Sequence, residues 1–82
     1  MDMELSDIIN DVTDFEDLQA RYDSRKNFYG KAQVYHTKSG KIYLRSYDTI
    51  VSECENGVVK HYGKYSQTTS RHQKEFEKQF SR

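Results

Sequence analysis

Residues 31–62, KAQVYHTKSGKIYLRSYDTIVSECENGVVKHY, decide the fold. Lys31 to Thr37 alternates apolar and polar side chains, Lys38, Ser39 and Gly40 supply a turn, and Lys41 to Tyr47 alternates again. Period-two alternation interrupted by a short Gly-bearing turn is the pattern of a β-hairpin. A second hairpin follows, Thr49 to Glu53 with Val58 to Tyr62, joined through Glu55, Asn56 and Gly57. Asn-Gly is the stronger of the two turn signals, because both central residues of a type I′ turn need positive φ. Four short strands in succession predict an antiparallel meander, one face packed on helix and the other facing water.

Outward from the meander the period changes. Leu5, Ile8, Ile9, Val12, Phe15, Leu18 and Tyr22 follow i, i+3, i+4, i+7 spacing, which predicts a helix with one apolar face. Ser6 is placed to cap its start. Thr13 with Glu16 has capping-box spacing that restarts a helix after a break near Asp11, so one bent helix or two short ones fit the pattern. Gly30 then stands as a helix stop before the first strand. After Gly63, KYSQTTSRHQKEFEKQF reads as loop followed by helix, with capping-box spacing at Ser70 and Gln73 and with Phe76 and Phe80 one turn apart. The expected fold is therefore α+β, a small two-layer domain over residues 1–82 with both helices on the same sheet face. It divides into a helical region over 1–29, the meander over 30–63 and a capped C-terminal helix over 64–82.

The chain has 82 residues and 13 acids against 13 Lys and Arg, a net charge of zero that hides a division. Residues 1–20 carry Asp2, Glu4, Asp7, Asp11, Asp14, Glu16 and Asp17 and no base, so the two segments sum to −7 and +7. A divided charge of this size steers and holds charged partners even when the whole molecule is neutral, which points to binding rather than chemistry. No apolar run approaches the roughly 20 residues that cross a bilayer, and the acidic start is the opposite of a signal peptide's basic one, so a cytosolic protein without membrane contact is expected. The single Cys54 excludes an internal disulfide and reads as a small half-buried strand residue.

The stretches FYGKAQV, LRSYDTIV and GKYSQTTSRHQKEF, from Phe28 to Phe76, resemble a family of short, functionally uncharacterised proteins encoded by bacteriophages and other mobile elements of Gram-positive bacteria. The Ser- and Thr-rich YSQTTSRH stretch is the most distinctive part. The resemblance implies a mobile-element origin and a non-catalytic role, and small phage proteins of this size and charge resemble inhibitors of host defence, anti-CRISPR proteins among them.

Three groups of residues are candidate binding sites. The first is the acidic face, Asp7, Asp11, Asp14, Glu16 and Asp17, expected on a helix where carboxylates on successive turns follow a spacing close to that of phosphates. The second is basic and aromatic, Arg25, Lys26, Tyr29, Tyr43 and Arg45, a pairing common at interface anchors and equally suited to stacking unpaired bases. The third is the loop Tyr65, Ser66, Thr68, Thr69 and Arg71, whose hydroxyls either cap a helix or meet an anion. His36, His61 and His72 show no ligand-pair spacing, so neither a metal nor any other cofactor is expected. Without a nucleophile elbow or a Gly-rich phosphate motif, no catalytic residue is assigned and no enzyme is expected.

The expectation is a non-enzymatic phage or mobile-element protein that binds a host protein and inhibits a defence nuclease, most concretely a CRISPR effector, by occupying its nucleic-acid-binding surface. It would act in the host cytosol as a monomer or weak homodimer. The alternatives are a nucleic-acid-binding accessory protein that uses its basic Tyr-rich sheet, and a self-associating structural protein in which the acidic end of one subunit meets the basic body of the next.

Overall fold

In the computed structural model, residues 3–23, 28–63 and 65–82 are described. Asn56 (φ 55°) and Gly57 (φ 81°) are both left-handed, the type I′ geometry that their dipeptide favours. A two-residue turn there sets Glu55 opposite Val58 and hence Ser52 opposite His61, pairing strands Thr49–Glu55 and Val58–His61. The Lys38–Ser39–Gly40 turn, with Gly40 at φ 92°, joins Ala32–Thr37 to Ile42–Ser46, so these four strands form the expected meander.

The sheet has a fifth strand, Val12–Asp17, antiparallel to Ala32–Thr37. In chain order the strands are β1 (Val12–Asp17), β2 (Ala32–Thr37), β3 (Ile42–Ser46), β4 (Thr49–Glu55) and β5 (Val58–His61), and they neighbour one another in that same order, leaving β1 and β5 as the edges. Among the described residues one α-helix, α1 (Gln67–Phe80), follows the sheet.

The predicted N-terminal helix, as one bent helix or two short ones, is not formed. Residues Leu5–Asp7 and Ile9–Asp11 are single 3-10 turns and the chain then extends into β1. The apolar spacing that suggested a helix has two other causes. A 3-10 turn repeats every three residues, which puts Leu5 and Ile8 on one side. The register of β1 slips between Val12 and Asp14, and the extra residue lets Val12 and Phe15, three apart, face the same side of the sheet opposite Thr37 and Tyr35. A helix here would also have stacked Asp7 on Asp11, Asp11 on Asp14 and Asp14 on Asp17, each like-charge pair costing about 0.2–0.5 kcal/mol.

The placement of this segment is a second correction. The two predicted helices were to share one sheet face, with the other wet; instead both faces are covered, by different elements. On one face, Phe76 and Cys54 pack with Leu18, Phe28, Ala32, Val34, Leu44 and Val51 beneath α1. On the other, Ile8 is buried against Tyr35, Tyr43 and Ile50, with Met3, Leu5 and Val12 beside it. Residues 3–11 thus form a strap. It starts beside β4, where the Ile50 N–H donates to the Met3 carbonyl at 2.8 Å, and crosses the sheet to the β1 edge.

The N-cap of α1 lies four residues before the predicted one, Ser70. Ser66 is its N-cap, its hydroxyl accepting from the Thr69 N–H at 3.2 Å, which leaves Ser70 and Gln73 inside the helix. Glu75, 1% exposed, bends the connection between β1 and β2 onto α1: its carboxylate accepts the Tyr22 and Asp23 N–H groups, each at 2.8 Å, and the Gln79 amide at 2.6 Å. Three donors offset the cost of burying this charge. Glu75→Ala strands all three and is expected to cost about 2–4 kcal/mol in a urea titration. Glu75→Gln keeps an acceptor and should cost less; equal losses would mean that packing, not hydrogen bonding, holds the connection.

Candidate interaction surface

The acidic residues converge on β1 rather than on a helix face. Strand alternation sends Asp14 and Glu16 to the α1 side of the sheet and Phe15 and Asp17 to the strap side. Glu16 lies 3.7 Å from His36 Nε2 on β2, and Asp17 accepts weakly from the Gln33 amide at 3.5 Å. The Asp14 carboxylate accepts the N–H of Phe15 at 2.8 Å, a backbone donor that would otherwise point out from the sheet edge. Five of the six β1 residues are exposed. Phe15, 62% exposed, stacks one ring face on Tyr35 with centroids 5.5 Å apart.

Asp7 and Asp11 stand apart from this edge and hold the strap. Asp7 accepts the Glu4 N–H at 2.8 Å, closing the first 3-10 turn. Asp11 accepts the Ser39 hydroxyl at 2.8 Å, and its carbonyl accepts the Lys38 N–H at 2.9 Å, tying the strap to the β2–β3 turn.

Of the basic and aromatic group, the described members Tyr29, Tyr43 and Arg45 do not share one exposed surface. Arg25 and Lys26 lie outside the described residues. Tyr29 is exposed in a turn at φ 54°, whereas Tyr43 is buried beneath the strap. Arg45 faces the strap side, where its guanidinium meets the Tyr35 hydroxyl at 3.4 Å and Asp48 at 3.5 Å while its Nε is buried without a partner.

The loop group is drawn into the packing of α1. Tyr65 packs on the core and Ser66 caps the helix. Thr68 is half-buried in the first turn of α1, and the buried Thr69 hydroxyl meets Ser46 Oγ at 3.0 Å. Arg71 lies 3.8 Å from Asp23.

Two polar chains escaped the sequence reading. Ser46 Oγ bonds His72 Nδ1 at 2.7 Å, while the His72 ring meets Phe28 edge-on. Ser52 Oγ bonds His61 Nδ1 at 2.6 Å, and His61 Nε2 reaches Glu77 at 2.8 Å. A Ser–His–Glu row has the composition of a hydrolase relay, yet Ser52 is fully buried under α1, where no substrate reaches its hydroxyl. The row ties β4, β5 and α1 together. The register set by Asn56–Gly57 was the sequence signal for its Ser52–His61 half. Among the described residues, no group of three His, Cys, Asp or Glu side chains gathers to hold a metal ion, and no helix is long and apolar enough to cross a membrane.

Fold and surface together define a small α+β protein whose five-stranded antiparallel sheet lies between one helix and an N-terminal strap, with an acidic edge strand. The chain belongs to a family of unknown function (DUF8033), whose model matches residues 17–82, so the match starts at the last residue of β1 and leaves the strap outside it. No curated protein and no solved structure matches the chain.

Burial holds the His72 imidazole below its ordinary pKa, opposed by the nearby Asp23 charge. The folded state therefore binds less proton than the unfolded state as pH falls below about 6.5, and stability falls with it, by at most about 1.4 kcal/mol per pH unit from this group. Denaturant titrations between pH 7.5 and 5 are expected to show this loss in the wild type and a shallower one in His72→Gln; parallel profiles would remove His72 from the acid response.

Proposed function

We propose that this protein is a non-enzymatic inhibitor, made by a bacteriophage or other mobile element, that lays its acidic β1 edge on the nucleic-acid-binding surface of a host defence nuclease, a CRISPR effector first among them. One observation carries the reading: Asp14, Glu16 and Asp17 stand with exposed Phe15 on the outermost strand of the sheet. Three carboxylates over about 10 Å of strand approach the charge density of a nucleic-acid strand, about one per 3.4 Å of axis. Lys and Arg side chains that line a nucleic-acid channel meet such an edge favourably, and long-range attraction raises the association rate. Phe15 adds the apolar anchor that an electrostatic contact alone lacks. The resemblance of Phe28 to Phe76 to phage and mobile-element proteins supports the origin.

Reversing the edge tests it. The triple variant D14K/E16K/D17K is expected to lose about 2–5 kcal/mol of binding to the nuclease and its block on cleavage, with folding checked by circular dichroism. Unchanged inhibition by this variant defeats the reading. Direct binding of wild-type protein to DNA or RNA, weakening steeply with salt, favours the nucleic-acid-binding alternative instead.

A further inference from the structure

Residues 3–17 have the form of a bound ligand. They cover a sheet face whose buried members are Tyr35, Tyr43 and Ile50, and they add β1 to the outer edge of β2. Main-chain pairing along an edge together with side chains seated in a groove is how extended peptides dock on sheets. The family match begins at Asp17, so the body that relatives share carries the groove and the β2 edge but lies outside the segment that fills them here. Within that segment the only buried side chain is Ile8, and among the described residues its main-chain ties to the body beyond β1 are Met3 to Ile50 and Asp11 to Lys38.

We propose that the strap face and the β2 edge form a peptide-binding groove, held closed in cis by residues 3–17, and that its partner is an extended segment of the same chemistry. That segment carries apolar side chains three or four residues apart, to fill the places of Ile8, Val12 and Phe15, with a carboxylate before the second of them to meet Ser39 and two after the third to meet His36 and Gln33. The groove is chemically distinct from the acidic edge, because it receives an acidic segment where the edge meets a basic surface. Opening the strap exposes one while removing the other, so the two binding modes exclude each other.

Two measurements on the full chain decide it. The first is native-state hydrogen exchange with increasing denaturant. The Ile50 and Lys38 amides, which donate to the strap, are expected to exchange together with β1 in an opening that leaves Leu44, Val51 and α1 protected. Exchange of Ile50 at the rate of its β4 neighbours, through global unfolding alone, overturns the proposal. The second uses the double variant I8D/F15D and a fluorescent synthetic peptide of residues 3–17. Because closure lowers apparent affinity by the fraction of open molecules, the variant should bind the peptide about tenfold or more tightly than wild type while α1 amides stay protected. No saturable binding to the folded variant, or loss of α1 protection along with β1, overturns it. A dimer of the variant that the peptide cannot dissociate assigns the groove to a second copy and overturns the choice of partner.

Discussion

Strands β2, β3 and β4 carry apolar side chains on both faces, and this constraint organises the molecule. Val34 and Leu44 face α1 while Tyr35, Tyr43 and Ile50 face the other way, so a single helix leaves one side of the sheet uncovered. Each large apolar side chain left in water would forgo about 1.5–3 kcal/mol. Among the described residues, one α-helix and one extended strap cover the two faces. The strap covers the second face with few residues, because 3-10 turns and extended chain span more distance per residue than an α-helix.

Polar ties between elements do the rest. Ser46, Ser52 and the Val51 carbonyl, all under α1, are met by His72, by His61 with Glu77 behind it, and by the Gln73 amide at 3.0 Å. These bonds satisfy groups that would be costly to bury alone, and they fix how α1 lies across the sheet. On the strap face Glu53 has the matching role, accepting from the Tyr62 hydroxyl at 2.7 Å and lying 3.5 Å from Lys41. Burial, with that hydrogen bond, pushes the Tyr62 phenol well above its ordinary pKa.

The meander was legible because its turns are local. Asn56 and Gly57 determine the β4–β5 register by backbone preference, and Lys38–Ser39–Gly40 does the same for β2–β3. α1 was legible from Phe76 and Phe80, although Ser66 rather than Ser70 caps it, since both hydroxyls stand where a helix could begin and tertiary contact of Thr69 with Ser46 chooses the earlier one. β1 was not legible. Its identity depends on pairing with β2 across a 14-residue connection, and its one-residue register slip converts a strand pattern into helical spacing. Chemistry at the site followed the same line. That Asp14, Glu16 and Asp17 are acidic is visible in sequence; that alternation divides them between two faces is visible only once β1 is a strand.

The neutral total charge acquires a structural meaning from the same edge. An exposed edge strand presents unpaired backbone groups that invite pairing with another chain, and charge along the edge suppresses it. β1 carries three acids and no base, and the Asp14 carboxylate occupies one of the outward N–H groups itself. Two copies meeting β1 to β1 would oppose like charges, whereas β1 meeting a basic surface would not. The acids that oppose pairing of β1 with a second copy are thus the same ones that the proposed contact with a basic surface would use, so one feature would serve against self-pairing and for the proposed recognition.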